Sequence, residues 1–574
     1  MTKPMKKRDS ILYASLFGLL MVFLFAFMAQ ERLHLFKTTP LEGFIKNTEV
    51  PKLTLENYQS GQYQAKLESH LGETFGFREP VIRTYNQYLW WCYRKTYCHF
   101  IVPGKKGYLF YSEAINDYYG LESLKMYRTY DRAKEWARKN VLMMDKLRQV
   151  LKDYGVEFLC FMGPNKTQLY PEYLPYHAPA PAGAINTAAY YDSLMNVIGF
   201  PHIEMTRWYK AMKDTCSFQL IPKRDTHWRY AAAYGFDSLF CYMDRLNDFG
   251  IPDIHVNGMI ELDTNYREND EKTLNLIFPI RNDAPKYRPD VTVDNGEGCH
   301  KPKVLFVGDS FIWDLETYLP WKEIMDDVEI WFYNESAFVG FEKEYHPVTE
   351  INRLRSILSA DYVVWYSTGS QWCRCSYDFV EDALLRLCVT DSLFDAQIPW
   401  VMDSLRHDSS FCKDHYQWQY SEHREDSLRK HAVKTLKDNP LLIPGLDGPD
   451  KPIIRNTKAI LLAQQANRIA ADKQWLTSLR VAASQADRPL DEVLDEEAEN
   501  VVLGRALLRD AVQVDTAAVV RMEVEKLINH WRNDPQMMQF LENKAKENGK
   551  SFEEVLEGDA KWVVNERLRN GELF

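Results

Sequence analysis

The hydrophobic positions of this chain fall into three regimes. Residues 11–29 are almost continuously apolar, a run long enough to cross a bilayer. From about residue 60 to 440, two periodicities alternate. Leu67, Leu71 and Phe75 in residues 63–87 recur at helical steps, as do Ala133, Trp136, Val141, Met144, Leu147 and Leu151 in residues 130–154. Between such segments lie short apolar runs closed by turn residues. They occupy 156–162, ahead of Gly163-Pro164-Asn165-Lys166; 303–307, ahead of Gly308-Asp309-Ser310; 328–333; and 361–367. Amphipathic helices alternating with short, largely apolar strands predict an α/β fold around a parallel sheet buried on both faces. Further helices are expected at 190–198 and 230–246. Residues 104–110 should form a tight turn entering a strand. Residues 250–300, with Pro252, Pro279, Pro285 and Pro289, should make an irregular excursion with room for hairpins. After Pro444-Gly445 the third regime begins, charged and helical almost without breaks.

These shifts set the expected organisation. Residues 1–10 form a basic tail, 11–30 a transmembrane anchor and 31–60 a stalk lifting the body off the membrane. The α/β domain covers 61–440, with 371–440 an insert or extension of no legible role, and 446–574 is a helical domain. That domain carries a repeat: 474–502 aligns without gaps to 536–564, matching Leu479/Leu541, Ala483/Ala545, Leu494/Leu556 and Ala498/Ala560. Two hairpins with one apolar stripe each are expected to bury those stripes against each other.

Charge changes the picture at two points. Lys3, Lys6, Lys7 and Arg8 precede the apolar run and few basic residues follow it, so the N-terminus is expected in the cytoplasm and the bulk of the chain in the periplasm, held to the inner membrane by one helix. Phe27 and Met28 before Ala29 make a poor signal-cleavage site, which favours an uncleaved anchor. The net charge of −11 gives nucleic-acid binding no electrostatic support. The abundant Trp and Tyr suit a packed core, with a carbohydrate cleft as the sharper alternative. Ten cysteines on the exported side admit disulfides; Cys92 and Cys98 are close enough in sequence to close a small loop, whereas Cys373 and Cys375 would each pair elsewhere. No Cys-x-x-Cys accompanies them, so neither a metal nor another cofactor is expected.

Candidate chemistry gathers at two motifs. Ser310 stands where a buried strand breaks, at the carboxyl edge where open α/β sheets bind ligands. The turn and the helix start after it would aim backbone N–H groups at an oxyanion. Acyl transfer through a serine also needs a base and a group that orients the base. Asp225-Thr226-His227 supplies both within three residues, with Trp228 following. Asn165 and Lys166, at another strand's carboxyl end, are candidates for lining the cleft, as is Gly308.

Taken together, Gly-Asp-Ser-Phe (308–311), Asp-Thr-His-Trp (225–228), Pro-Asn-Lys…Tyr-Pro-Glu-Tyr-Leu-Pro (164–175), Gly107-Tyr108-Leu109-Phe110 and Gly76-Phe77-Arg78 resemble the alginate O-acetyltransferase family of AlgX/AlgJ type. The resemblance covers about residues 60–370. It implies a three-layer SGNH-hydrolase-like (flavodoxin-like) domain in which the Asp/His segment precedes the serine, whereas ordinary SGNH hydrolases place the serine first. It implies Ser310 as nucleophile, His227 as base and Asp225 as its orienter, with acetyl transfer to hydroxyls of an exported polysaccharide and a membrane-bound O-acyltransferase partner as acetyl donor. The helical repeat stands where a carbohydrate-binding β domain would be, so no particular polymer is implied. An acetylesterase shares the same acyl-enzyme, and a non-catalytic polysaccharide-binding or scaffold component of an export complex is the third reading. A reporter fused after Phe574 should be active only if it works outside the cytoplasm; activity of a cytoplasm-requiring reporter would overturn the orientation.

Overall fold

The structure, a computed structural model, describes residues 7–43, 48–50, 52–175, 180–247, 249–263, 268–280, 285–296, 298–415, 423–446, 455–502 and 516–569. Lys3 and Lys6 of the basic tail lie outside them. In chain order the strands are β1 (Ile101–Pro103), β2 (Leu109–Tyr111), β3 (Glu157–Gly163), β4 (His202–Glu204), β5 (Asp253–Leu262), β6 (Lys286–Asp294), β7 (Lys303–Gly308), β8 (Asp327–Phe332), β9 (Ser336–Val339), β10 (Glu344–Pro347) and β11 (Tyr362–Thr368). The main sheet runs β10-β9-β8-β7-β11-β3-β4. From β8 to β4 every pairing is parallel, as the apolar runs predict. β9 and β10 add an antiparallel edge, because only residues 333–335 separate β8 from β9, too few for a crossover helix. The proline-rich excursion resolves into a long two-stranded ribbon, β5 with β6.

The period-two alternation along each central strand divides the core into two layers. Phe158, Cys160, Met162, Leu305, Val307, Val363 and Trp365 face one side. Leu159, Phe161, Val304, Phe306, Val364 and Tyr366 face the other. The helices Tyr130–Lys152 and Phe379–Cys388 cover the first side, together with Ile398, Ala432, Leu436 and Ile443. Residues 371–440, whose role the sequence leaves blank, thus complete one helical layer. The second side is covered by Met205–Lys213 and Ala232–Asn247, through Tyr209, Phe236 and Leu239.

The N-terminal region departs from expectation. The single helix expected over 63–87 is two, Gln62–Thr74 and Arg78–Tyr93, broken at Phe75-Gly76-Phe77, with Phe77 in the left-handed region at φ 59°. The break lets Gly76 press against the first helix, Lys7–Leu33: a Cβ on Gly76 would lie 2.1 Å from the Phe27 carbonyl oxygen. In the stretch expected as a stalk, Glu42 and Thr48 bond back onto the body. The Glu42 N–H donates to Asn275 Oδ1 at 2.8 Å, and the Thr48 N–H and hydroxyl both donate to the Glu73 carboxylate. These contacts draw the body up to the end of the apolar helix.

The matched positions of the expected repeat are buried in both stretches, but the packing differs from that expected. Leu479, Ala483, Leu494 and Ala498 are buried, as are the matching Leu541, Ala545, Leu556 and Ala560. Each stripe is covered by a third helix of its own rather than by the other stripe. Ala466 and Ile469 of Thr457–Ala471 cover the first, and Val524, Ile528 and Trp531 of Thr516–Arg532 cover the second. Thr457–Ala471 also sends Ile460 into the α/β core. Cys92 and Cys98 are free thiols rather than a closed loop, and Cys373 and Cys375 are buried thiols.

Gly308 has a packing task. A Cβ there would sit 2.0 Å from the Tyr366 carbonyl oxygen of β11, a contact that neither backbone can yield to without breaking the ladder. Gly308→Ala should lower stability by about 3 kcal/mol or more, read as a fall in Tm of the full chain; an unchanged Tm would show that the two strands have slack.

Candidate active site

Three strand ends meet at one edge of the sheet. β7 ends at Gly308, β11 at Thr368 and β3 at Gly163, neighbours in the ladder. From β3 the chain proceeds outward to β4, and from β7 it proceeds outward to β8 on the opposite side. This reversal is where open α/β sheets leave a crevice. A cavity of about 210 Å³ occupies it, lined by Asn165, His227, Ser310, Tyr333, Thr368 and Gln371 among others. That is below the usual 300–1,000 Å³ of drug-sized pockets, a size for an acyl group and little more.

Ser310 opens a 3-10 turn, Ser310–Ile312. The turn is tied down by buried Asp309, whose Oδ1 accepts the Phe311 N–H at 3.1 Å and whose Oδ2 accepts the Thr368 N–H at 2.8 Å. One carboxylate therefore fastens the ends of β7 and β11 together and fixes the serine's position. His227 Nε2 lies 2.8 Å from Ser310 Oγ, and His227 Nδ1 lies 3.3 Å from Asp225 Oδ1, which also accepts the His227 backbone N–H at 3.1 Å. The imidazole packs against Phe311, ring centres 4.6 Å apart and planes tilted by 39°. Ser310, His227 and Asp225 are thus brought together in the order Ser–His–Asp.

Asp225 is buried. Burial alone would raise its pKa, but the hydrogen bond with His227 and the charge of Arg229 outweigh it and hold the carboxyl at about 2. Arg229 donates from Nε to Asp225 Oδ2 at 2.6 Å, with Nη2 at 2.5 Å, while its own N–H donates to Asp314 Oδ2 at 3.0 Å. Burial pulls the His227 pKa down. Hydrogen bonding to Asp225 and the charges of Asp225 and Asp314 overcome this and leave it above the ordinary 6.5. Two more carboxyls stand close. Burial lifts Asp314 to about 6, opposed by His227 and Arg229. Burial and the charge of Asp225 lift Asp270 to about 8.

The other candidate residues take separate roles. Asn165 lines the cavity. Its Oδ1 accepts the Thr167 N–H at 3.0 Å and the Thr167 hydroxyl at 2.7 Å, which turns its buried Nδ2, with no hydrogen-bond partner, away as a donor. An unsatisfied buried donor costs roughly 1–3 kcal/mol unless something accepts from it, so it suits an oxyanion. Lys166 lines the cavity as well, and its Nζ donates to the Lys223 carbonyl at 2.6 Å and the Asp225 carbonyl at 3.0 Å, fixing the loop that carries Asp225 and His227. Burial lowers its pKa to about 8. Trp228 lies wholly in the core among Phe161, Phe236 and Tyr366, and neither it nor Gly308 lines the cavity.

Reading by sequence missed Arg229, Asp314 and Tyr333. Arg229 has a local signal, a guanidinium four residues after Asp225. Tyr333 had none beyond standing at the end of β8. It takes the left-handed region at φ 52°, donates its N–H to the Gly308 carbonyl at 2.8 Å and lines the cavity together with Ser310. Burial lifts its pKa to about 12, so it stays a neutral donor.

No family model matches the chain, and no curated protein matches it. Solved structures do. The O-acetyltransferase domain of Pseudomonas putida AlgJ is similar at 14% identity over 48% of this chain and 92% of that one, TM-score 0.32. Pseudomonas aeruginosa AlgX is similar at 13% identity over 49% and 67%, TM-score 0.29. Bacillus cereus PatB1 is similar at 11% identity over 42% and 91%, TM-score 0.26.

The raised His227 pKa has a direct consequence. Only the neutral imidazole can take the serine proton, so labelling of Ser310 by an organophosphorus probe should rise with pH through a midpoint above 6.5. A midpoint below 6.5 would show that burial outweighs the Asp225 contact.

Proposed function

We propose that this chain is a membrane-anchored O-acetyltransferase that moves acetyl groups onto hydroxyls of an exported polysaccharide through an acetyl-serine intermediate. The observation that carries the reading is the 2.8 Å approach of His227 Nε2 to Ser310 Oγ, with a buried carboxylate behind the ring. His227 takes the proton as Ser310 Oγ attacks the acetyl carbonyl of the donor. Asn165 Nδ2 and the turn at Ser310 stabilise the oxyanion, a service commonly worth about 3–4 kcal/mol per donor. The imidazolium protonates the leaving group. In the second half His227 deprotonates an acceptor hydroxyl, which attacks the acetyl-serine and releases the ester.

Asp225 remains ionised throughout, which keeps the imidazole in the tautomer with Nε2 toward the serine and favours the imidazolium as it forms. The motif resemblance supplies the acceptor class, an exported polysaccharide, and the donor partner, a membrane-bound O-acyltransferase. The apolar helix Ile11–Leu33 is long enough to cross a membrane, and the basic residues before it favour a periplasmic body.

After incubation with an activated acetyl ester, mass spectrometry should find acetyl on the Ser310 peptide. Ser310→Ala should abolish it, and His227→Ala should cost nearly as much, because triad members act as a unit. Asp225→Asn should cost on the order of thousands-fold. Adding an oligosaccharide should discharge the acetyl-enzyme into sugar ester; discharge into acetate alone would make the protein an esterase. Undiminished acetylation in Ser310→Ala would leave only the binding or scaffold reading.

A further inference from the structure

The helix Arg78–Tyr93 has aromatic rings on both faces. Its buried face carries Trp90 beside two amides, Asn86 and Gln87, which bond to the segment opposite: Asn86 Nδ2 donates to the Leu274 carbonyl at 2.9 Å, and Gln87 Oε1 accepts the Phe278 N–H at 2.9 Å. Its outer face carries Val81, Tyr85, Tyr88 and Trp91, 42%, 50%, 50% and 61% exposed. Spacings of four, three and three residues put these on one stripe. A surface helix of a water-soluble domain keeps its outer face polar. A scattered exposed hydrophobe needs no cause, but a row of them along the outer face of one helix does.

The stripe does not end at the helix. Trp91 stacks on exposed Phe278, ring centres 5.7 Å apart and planes at 15°. Neighbouring Ile277 and the exposed Phe36 line one groove with Phe77 and Pro80, where the helix begins. This surface is fastened to the apolar helix. Phe27 packs its ring on Phe75 and Phe77 at 6.0 and 5.9 Å, Phe36 packs on Phe77 at 5.8 Å, and Gly76 abuts the Phe27 carbonyl. At 1.5 Å per residue, about 20 residues from Ile11 span a ~30 Å hydrocarbon core. Phe27 then sits in the last turn inside it, and Phe75-Gly76-Phe77 lies at the hydrocarbon boundary. Tyrosine and tryptophan, apolar rings with a polar tip, are the side chains enriched at that depth.

We infer that the outer face of Arg78–Tyr93, with Phe36 and Phe278, is a lipid-contacting surface that beds the α/β domain in the membrane interface beside its own anchor. The occupant is lipid because the face continues from a helix with the length and composition of a span, and because its chemistry, amphipathic rings rather than aliphatic side chains alone, suits the headgroup zone. The inference is independent of the acyl-transfer reading.

The test is photolabelling of the full chain reconstituted in vesicles of phosphatidylethanolamine and phosphatidylglycerol. A bilayer-dissolved aryl diazirine is used, and sites are read by mass spectrometry. Label is expected on Tyr85, Tyr88 and Trp91 together with the 11–33 helix, at least about fivefold above Tyr345, an equally exposed tyrosine on the edge strand β10. Substituting Tyr85→Ser and Tyr88→Ser, both on the surface, should lower the label on Trp91 while leaving that on 11–33 unchanged. Label confined to 11–33 overturns the inference. So does label on the stripe that appears only at low protein-to-lipid ratio, which would assign the face to a second copy. An unlabelled stripe that crosslinks to another membrane protein in native membranes assigns it to that protein and overturns the inference equally.

Discussion

One buried negative charge organises the cavity at the carboxyl edge of the main sheet. An isolated carboxylate in a protein interior is costly enough that it would take up a proton instead. Asp225 keeps its charge because Arg229 grips one oxygen while the imidazole and backbone N–H of His227 share the other. The loop around it is held from three directions. Lys166 binds the Lys223 and Asp225 carbonyls, Glu268 accepts the Arg224 N–H, and the Asp270 N–H donates to the Arg224 carbonyl. Loss of any of these would let the loop move, and with it the imidazole whose distance to the serine decides the chemistry.

The same charge sorts its neighbours. Asp225, Asp314 and Asp270 lie close enough to feel one another, and they are held at about 2, 6 and 8. The order follows access to cationic partners. Asp225 has Arg229 at hydrogen-bond distance, Asp314 has Arg229 Nη1 at 3.8 Å, and Asp270 faces the charge of Asp225 with its Oδ2 unpartnered. Like-charged groups in a common low-dielectric site cannot all ionise together, so the protons collect where they leave the His–Asp contact undisturbed.

At the other end the constraint is steric. Gly76 admits the Phe27 backbone where any larger residue would clash, and this fixes the first helix against the helical pair that follows. With Glu42 and Thr48 bound back onto Asn275 and Glu73, the chain that follows the first helix is tied down at two further points.

The sequence by itself determined those features that depend on local periodicity. Apolar runs at 156–162, 303–307 and 361–367 became adjacent parallel strands, because a strand buried on both faces has no polar alternation to disguise it. The repeat at 474–502 and 536–564 was legible because matched positions must stay small or apolar wherever a helix is buried. Ser310, His227 and Asp225 were legible as motifs, since a strand-end serine and an Asp-x-His carry their chemistry in a few residues. Tertiary structure alone decided that 83 residues of separation close to 2.8 Å, that Lys166 braces a loop from the cavity wall, and that Tyr333 lines the cavity with the serine. It also decided which helix covers each repeat stripe, and that Arg78–Tyr93 sets a stripe of rings outward. Those outcomes depend on which surfaces meet across the fold, and hydrophobic periodicity records only that a face is covered, not by what.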